Sequence, residues 1–177
     1  MRIESPLSLL FPLFLIAGIL PLPPQVQPRP SAQVEVPGVS QLQEDAMEQF
    51  RAEVEEGVRH LLGSQVEAWN HGNLEGFMLG YWPSPDLTFY SGATVFKGWE
   101  PTFERYRQRY QSEGKGMGQL VFQDLSVDVL SRRAAVVTGK WQLTMSDGKQ
   151  PHGLFTLIVK RMPGGWKIVH DHTSAAQ

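Results

Sequence analysis

The segment Trp166-Lys167-Ile168-Val169-His170-Asp171-His172-Thr173 holds the residues with the clearest chemical capability in the chain. Side chains alternate across a strand. Trp166, Ile168, His170 and His172 therefore share one face, and Lys167, Val169, Asp171 and Thr173 the other, unless a bulge intervenes. The first face would offer two imidazoles at i and i+2, able to bind a metal or to act as acid and base. The second would offer a carboxyl group beside a hydroxyl. An apolar enclosure pushes such a carboxyl toward its neutral form. That poise suits proton abstraction next to a carbonyl, with Asp171 as the general base. Thr173, Tyr90 or Tyr106 would donate a hydrogen bond to the developing oxyanion.

The two faces are not equally supported. A metal site needs three or four ligands with supporting partners. The chain has no cysteine, and His152 is the only other histidine near the strands, so no metal is expected. In the preceding segment Phe155, Leu157 and Val159 form a wholly apolar face suited to a covered side. In the segment before that, Val137, Gly139, Trp141 and Leu143 are the more apolar set. This pattern favours Asp171 and Thr173 as the enclosed pair, with His170 and His172 hydrogen-bonded at the sheet surface or a subunit interface. Parity across hairpins is easily off by one, so both readings stay open. The plainer use of Asp171 is an ion pair with Arg105, Arg109 or a neighbouring lysine. The candidate ligand-lining set is Phe77, Tyr81, Tyr90, Thr102 and Tyr106 from the first part of the domain. Trp141, Leu157, His170, His172 and Thr173 are the candidates from the strands. No P-loop, dinucleotide glycine fingerprint, G-x-S-x-G elbow or H-E-x-x-H helix is present, so no cofactor is expected.

The elements that must position these residues can be read from spacing. Met47, Phe50, Val54, Val58, Leu61, Leu62, Val66 and Trp69 recur every three or four residues, which predicts an amphipathic helix from Glu44 to His71-Gly72. Asn73 is a suitable N-cap for a short helix from Leu74 to about Gly80, and Pro83 and Pro85 stop it. Asp86–Ser91 and Val95–Lys97 read as short strands. Trp99 to Tyr110 returns to helical spacing, with Arg105 and Arg109 as an i, i+4 pair. Gly114, Gly116 and Gly118 mark a loop. Four strands follow, about Gln119–Leu130, Ala134–Thr144, Gly153–Arg161 and Trp166–Thr173. Ser131-Arg132-Arg133, Ser146-Asp147-Gly148 and Pro163-Gly164-Gly165 separate them as hairpin turns. The result is an α+β domain, three helices on one face of a curved, mainly antiparallel sheet, with a pocket between the layers.

The 177 residues are 41% hydrophobic and 19% charged, enough for one globular domain with a short extension. With 16 basic and 18 acidic residues the net charge is -2, and no basic face for nucleic acid is expected. Residues 1–32 differ from the rest. Arg2 is followed by an uncharged apolar run from Leu7 to Leu22 and small residues at Ser31-Ala32, the pattern of a secretory signal. Residues 33–43 read as a linker, 44–174 as the domain and 175–177 as a tail. The expectation is a secreted or periplasmic protein with no membrane association once the signal is removed.

Several stretches together carry a family resemblance. They are Ala68-Trp69-Asn70-His71-Gly72-Asn73-Leu74-Glu75, Lys97-Gly98-Trp99-Glu100, and the ending from Gly165 to Ser174. With the order of elements, they make the chain similar to the SnoaL-like branch of the nuclear transport factor 2-like superfamily. Within it the chain resembles uncharacterised exported members of the domain of unknown function 4440 type. The ending also resembles the association domain of calcium/calmodulin-dependent protein kinase II. That domain's pocket arginines would fall at Trp141, Leu157 and Thr173, none of which is arginine, so its anion pocket does not carry over. The resemblance implies a cone-shaped α+β barrel, a homodimer or larger ring, and a pocket inside the cone. It does not imply one activity. The function expected is binding of a small apolar molecule. An isomerase or cyclase using Asp171, and an oligomerisation module, are the alternatives.

Overall fold

The computed structural model describes residues 39–111 and 116–176. The expected signal, most of the expected linker, Gly114 and the last residue of the expected tail lie outside the described residues. The described order is α1 (Val39–Asn70), α2 (Leu74–Met78), β1 (Thr88–Ser91), β2 (Thr94–Lys97) and α3 (Trp99–Tyr110). Then come β3 (Gln119–Ser131), β4 (Ala134–Thr144), β5 (His152–Met162) and β6 (Gly165–Thr173). The six strands form one curved, unclosed sheet in the order β2-β1-β6-β5-β4-β3. All neighbours are antiparallel except β1 and β6, which run parallel.

The apolar stripe of α1 faces this sheet. Val54, Val58, Leu61, Leu62 and Trp69 are buried. Met47, expected in the stripe, is exposed, in a stretch of α1 whose residues 41–49 are all exposed. Gln65 instead occupies the buried row, one turn from both Leu61 and Trp69. Trp166 packs against α1 at Gly57, where a Cβ would come 2.5 Å from the indole nitrogen. Asn70 then ties the helix end to β3. Its side chain accepts from Leu120 N–H at 2.6 Å and donates to the Leu120 carbonyl at 3.1 Å. Gly72 takes a left-handed φ of 71° to end α1, as its type predicts. The Asn73 side chain caps α2 by accepting from Gly76 N–H at 2.8 Å.

Two expected starts shift by more than one residue. α1 begins at Val39 rather than Glu44. β1 begins at Thr88 rather than Asp86, because the Ser84 hydroxyl accepts the Asp86 N–H at 3.1 Å and folds 84–86 into a turn.

The sheet has three register irregularities, one of them at the end of β3 between Val129 and Ser131. In β3 the register with β4 shifts between Gln123 and Ser126, around Asp124 at φ 52°. In β6 it shifts between Ile168 and His170. At Ile168 the strand exchanges hydrogen bonds with Gly80 and Trp82, both at 2.9 Å. From His170 onward it pairs with β1 instead. Val169 is the extra residue at this change of neighbour. The bulge corrects the expected strand parity. Trp166 and Ile168 face the helices, and after Val169 so do Asp171 and Thr173, while His170 and His172 face away.

Candidate functional site

The concave face of the sheet and the three helices enclose a cavity of about 350 Å³. Its apolar wall comes from Trp69 on α1, Phe77 on α2, Phe89 on β1, and Phe155 and Leu157 on β5. Tyr106 and Tyr110 come from α3. The rings of Trp69, Phe77, Phe89, Tyr106 and Tyr110 form one connected cluster, while Phe155 meets Phe122. Trp69 meets Phe77 and Tyr110 edge-on, each at 4.9 Å between centroids, and Phe89 stacks on Tyr106 at 5.4 Å. Edge and offset contacts of this kind hold ring positions firmly.

Asp171 stands in this wall, only 2% exposed. Its partners across the sheet are Phe89 and Leu157, both apolar. Tyr81 donates its phenolic hydrogen to Oδ2 at 2.7 Å, and Thr173 donates its hydroxyl to Oδ1 at 2.7 Å. The Tyr81 and Tyr106 hydroxyls lie 3.2 Å apart. Loss of hydration pushes the Asp171 pKa up to about 6, and the bonds from Thr173 and Tyr81 hold it from rising further. Burial and the neighbouring carboxyl together push the Tyr81 and Tyr106 phenols well above their ordinary range. Among the described residues no ion pair engages Asp171. The expected pairing with Arg105, Arg109 or a lysine is replaced by two neutral donors.

The bonding order narrows the chemistry. The hydrogens of Tyr81 and Thr173 are both committed to Asp171. Of the hydroxyls expected to serve an oxyanion, Thr173 is therefore occupied. Tyr90 lies on the opposite face of the sheet. Tyr106 keeps a hydrogen able to turn from the Tyr81 oxygen toward a bound group.

Seven of the expected site residues meet at this cavity: Phe77, Tyr81, Tyr106, Trp141, Leu157, Asp171 and Thr173. Four do not. Thr102 is buried under α3 and donates to the Gly98 carbonyl at 2.8 Å, a bond within its own helix turn. The bulge turns His170 and His172 to the outer face. There the Tyr90 ring packs edge-on against both, at 5.0 and 5.8 Å. His170 Nδ1 lies 2.6 Å from the Thr88 hydroxyl, and partial burial and the nearby His172 lower its pKa. Among the described residues no cluster of three potential metal-binding side chains occurs.

The sequence reading did not single out Gln65. Gln65 lines the cavity, donates its amide to the Phe77 carbonyl at 3.0 Å, and leaves Oε1 buried without a partner. Its spacing of four from Leu61 and Trp69 was the available signal, since it puts an amide in an apolar row.

The chain matches the family model described as a SnoaL-like domain over residues 58–177. Among solved structures, it is similar to a nuclear transport factor 2-like protein of unknown function from Shewanella oneidensis. The two share 35% identity with a TM-score of 0.63, over 68% of this chain and 98% of that one. It is also similar to a protein named as a calcium/calmodulin dependent protein kinase II association domain from Xanthomonas campestris. There the identity is 23% and the TM-score 0.53, over 67% and 85% of the two chains. A nuclear transport factor 2-like superfamily protein from Salmonella enterica matches at 20% identity and TM-score 0.55, over 74% and 94%. No curated protein matches significantly. Among the described residues no helix is long and apolar enough to cross a membrane.

Proposed function

We propose, from the premise that this chain belongs to the SnoaL-like domain family, that its cavity binds a small apolar molecule bearing one polar atom. The observation that carries this reading is a cavity of about 350 Å³ walled by aromatic and aliphatic side chains around a single neutralisable carboxyl group. Ligand pockets have this composition, apolar with few convergent polar groups. The orphan Gln65 Oε1 adds an acceptor that a hydroxyl, an N–H or a water would satisfy.

One observation favours a catalytic version of the same reading. Asp171 is buried, carries no ion pair among the described residues, and has a pKa of about 6. As a carboxylate it would take a proton from carbon next to a carbonyl. The electron pair would move to the carbonyl oxygen, to which Tyr106 would donate a hydrogen bond while keeping its proton. Return of the proton to a different carbon completes an isomerisation.

One neutral ketone, 2-tetralone, tests both. Native mass spectrometry of the full chain with 2-tetralone should show one adduct per subunit. The Leu157→Trp variant, whose indole fills the cavity, should lose it while still melting cooperatively. An adduct that survives in that variant, or none in either protein, would sink the binding reading. In deuterated buffer the protein should speed exchange of the protons next to the carbonyl, and Asp171→Asn should abolish that. Equal exchange by the variant would leave binding without catalysis.

The chain is proposed to act outside the cytoplasm and to pair with a second copy. The uncharged run at Leu7–Leu22 supports export. Recovery of intact Met1 on cytoplasmic protein would refute it. Exposed Val95, Tyr90 and Leu154 on the outer face support pairing.

A further inference from the structure

Arg105 and Arg109 both line the cavity. They lie one helical turn apart on α3, so they stand side by side in the cavity lining. The lining also includes Ser91 and Gly92, at the turn after β1, and Ser174 and Ala175, just past β6. Each arginine is held by an aromatic ring. Arg105 sits 5.8 Å from the centroid of Phe96, whose ring stacks on Phe89, and Arg109 sits 5.7 Å from that of Tyr110. Such contacts fix the position of a cation and leave its N–H groups free to bind.

Neither arginine has a carboxylate partner among the described residues. The nearest acid on their own helix, Glu104, is engaged by Arg107 at 2.8 Å and by Gln108 at 2.7 Å. Asp171 is engaged by Tyr81 and Thr173. Burial and Asp171 push the Tyr106 phenol up, and Arg105 is near enough to offset a small part of that rise. The cavity is therefore polarised from end to end. Two cations without a carboxylate partner stand at one end, and the Asp171 carboxyl with its donors Tyr81 and Thr173 stands at the other.

We propose that the cavity takes an amphiphilic anion, a small aromatic or aliphatic carboxylate. Its charged end is held by Arg105 and Arg109, and its uncharged end points toward Tyr106 and Asp171. This inference rests on the reading of the cavity as a ligand site and narrows it from apolar molecules to carboxylates. A carboxylate presents two oxygens in the plane of a guanidinium fork, so an arginine pair selects it over an amide or an ester of the same shape.

The test is calorimetric titration of the full chain with cinnamate and with cinnamamide, which share shape and differ in charge. Cinnamate is expected to bind at least about tenfold more tightly, the range of a charge-assisted hydrogen bond. The double variant Arg105→Gln/Arg109→Gln should lose that preference and keep its affinity for cinnamamide within about twofold. Because both arginines reach solvent, the variant is expected to fold, and its melting curve checks this. Equal affinities for the two probes, or a preference that survives in the double variant, overturn the arginine assignment and leave the apolar ligand site standing. Failure of both probes to bind overturns the arginine assignment and the cavity reading together.

Discussion

Asp171 shows how a few neighbours decide the properties of one group. Its sheet partners are Phe89 and Leu157, which offer no hydration, so the neutral acid is favoured. Folding raises its pKa from the ordinary 3.8 to about 6. The folded state then holds the proton more tightly than the unfolded chain does. The stability gained is complete below about pH 4 and is lost as pH rises through 6. At pH 7.5 the buried carboxylate costs roughly 3 kcal/mol relative to acid conditions, by the 1.36 kcal/mol that each pKa unit represents. Asp171→Asn removes the charge and keeps the shape. It is expected to raise the melting temperature at pH 7.5 and to give a smaller gain, or a loss, at pH 4.5. A difference between variant and wild type that stays constant across this range would show that Asp171 does not titrate between the two states.

At the scale of elements, β6 is the decisive piece. A regular strand must choose which alternate set to bury. Val169 removes that choice, so two apolar residues and a carboxyl–hydroxyl pair all face the helices. Deleting Val169 restores strict alternation and turns either Trp166 and Ile168 or Asp171 and Thr173 toward solvent. The expected cost exceeds about 4 kcal/mol, in the range of lost core packing, read from urea unfolding. A deletion variant of near wild-type stability would show that β6 can re-register at little cost. The other boundaries follow local rules, such as the glycine that ends α1 and the Asn73 cap of α2. These were legible because the residue types themselves carry the geometry.

For the whole molecule, the sheet has two faces with different tasks. The concave face holds the cavity. The outer face carries Tyr90 packed on His170 and His172, with Val95 and Leu154 each 57% exposed. If a second copy covers this face, the double variant Tyr90→Glu/Leu154→Glu places charge in the interface and separates the subunits. Light scattering coupled to size-exclusion chromatography should then report a dimer or larger assembly for the wild type and a monomer for the variant. A wild-type monomer, or a variant that stays associated, would exclude this face as the contact.

The amino-acid sequence by itself determined the order and kind of the elements. Helical spacing of apolar residues, glycine and asparagine at turns, and runs of alternating residues are local signals, each read within a few positions. It also determined that Phe155, Leu157 and Val159 belong to one covered face. Only the tertiary structure decided the direction of Asp171. Its side depends on a bulge placed where β6 leaves Gly80 and Trp82 and joins β1, and no residue near Val169 announces that exchange of partners. The same holds for the cavity. Whether Tyr106 and Arg105 border empty space depends on how far α3 stands from strands distant in the chain, a sum of contacts that no spacing along the sequence encodes.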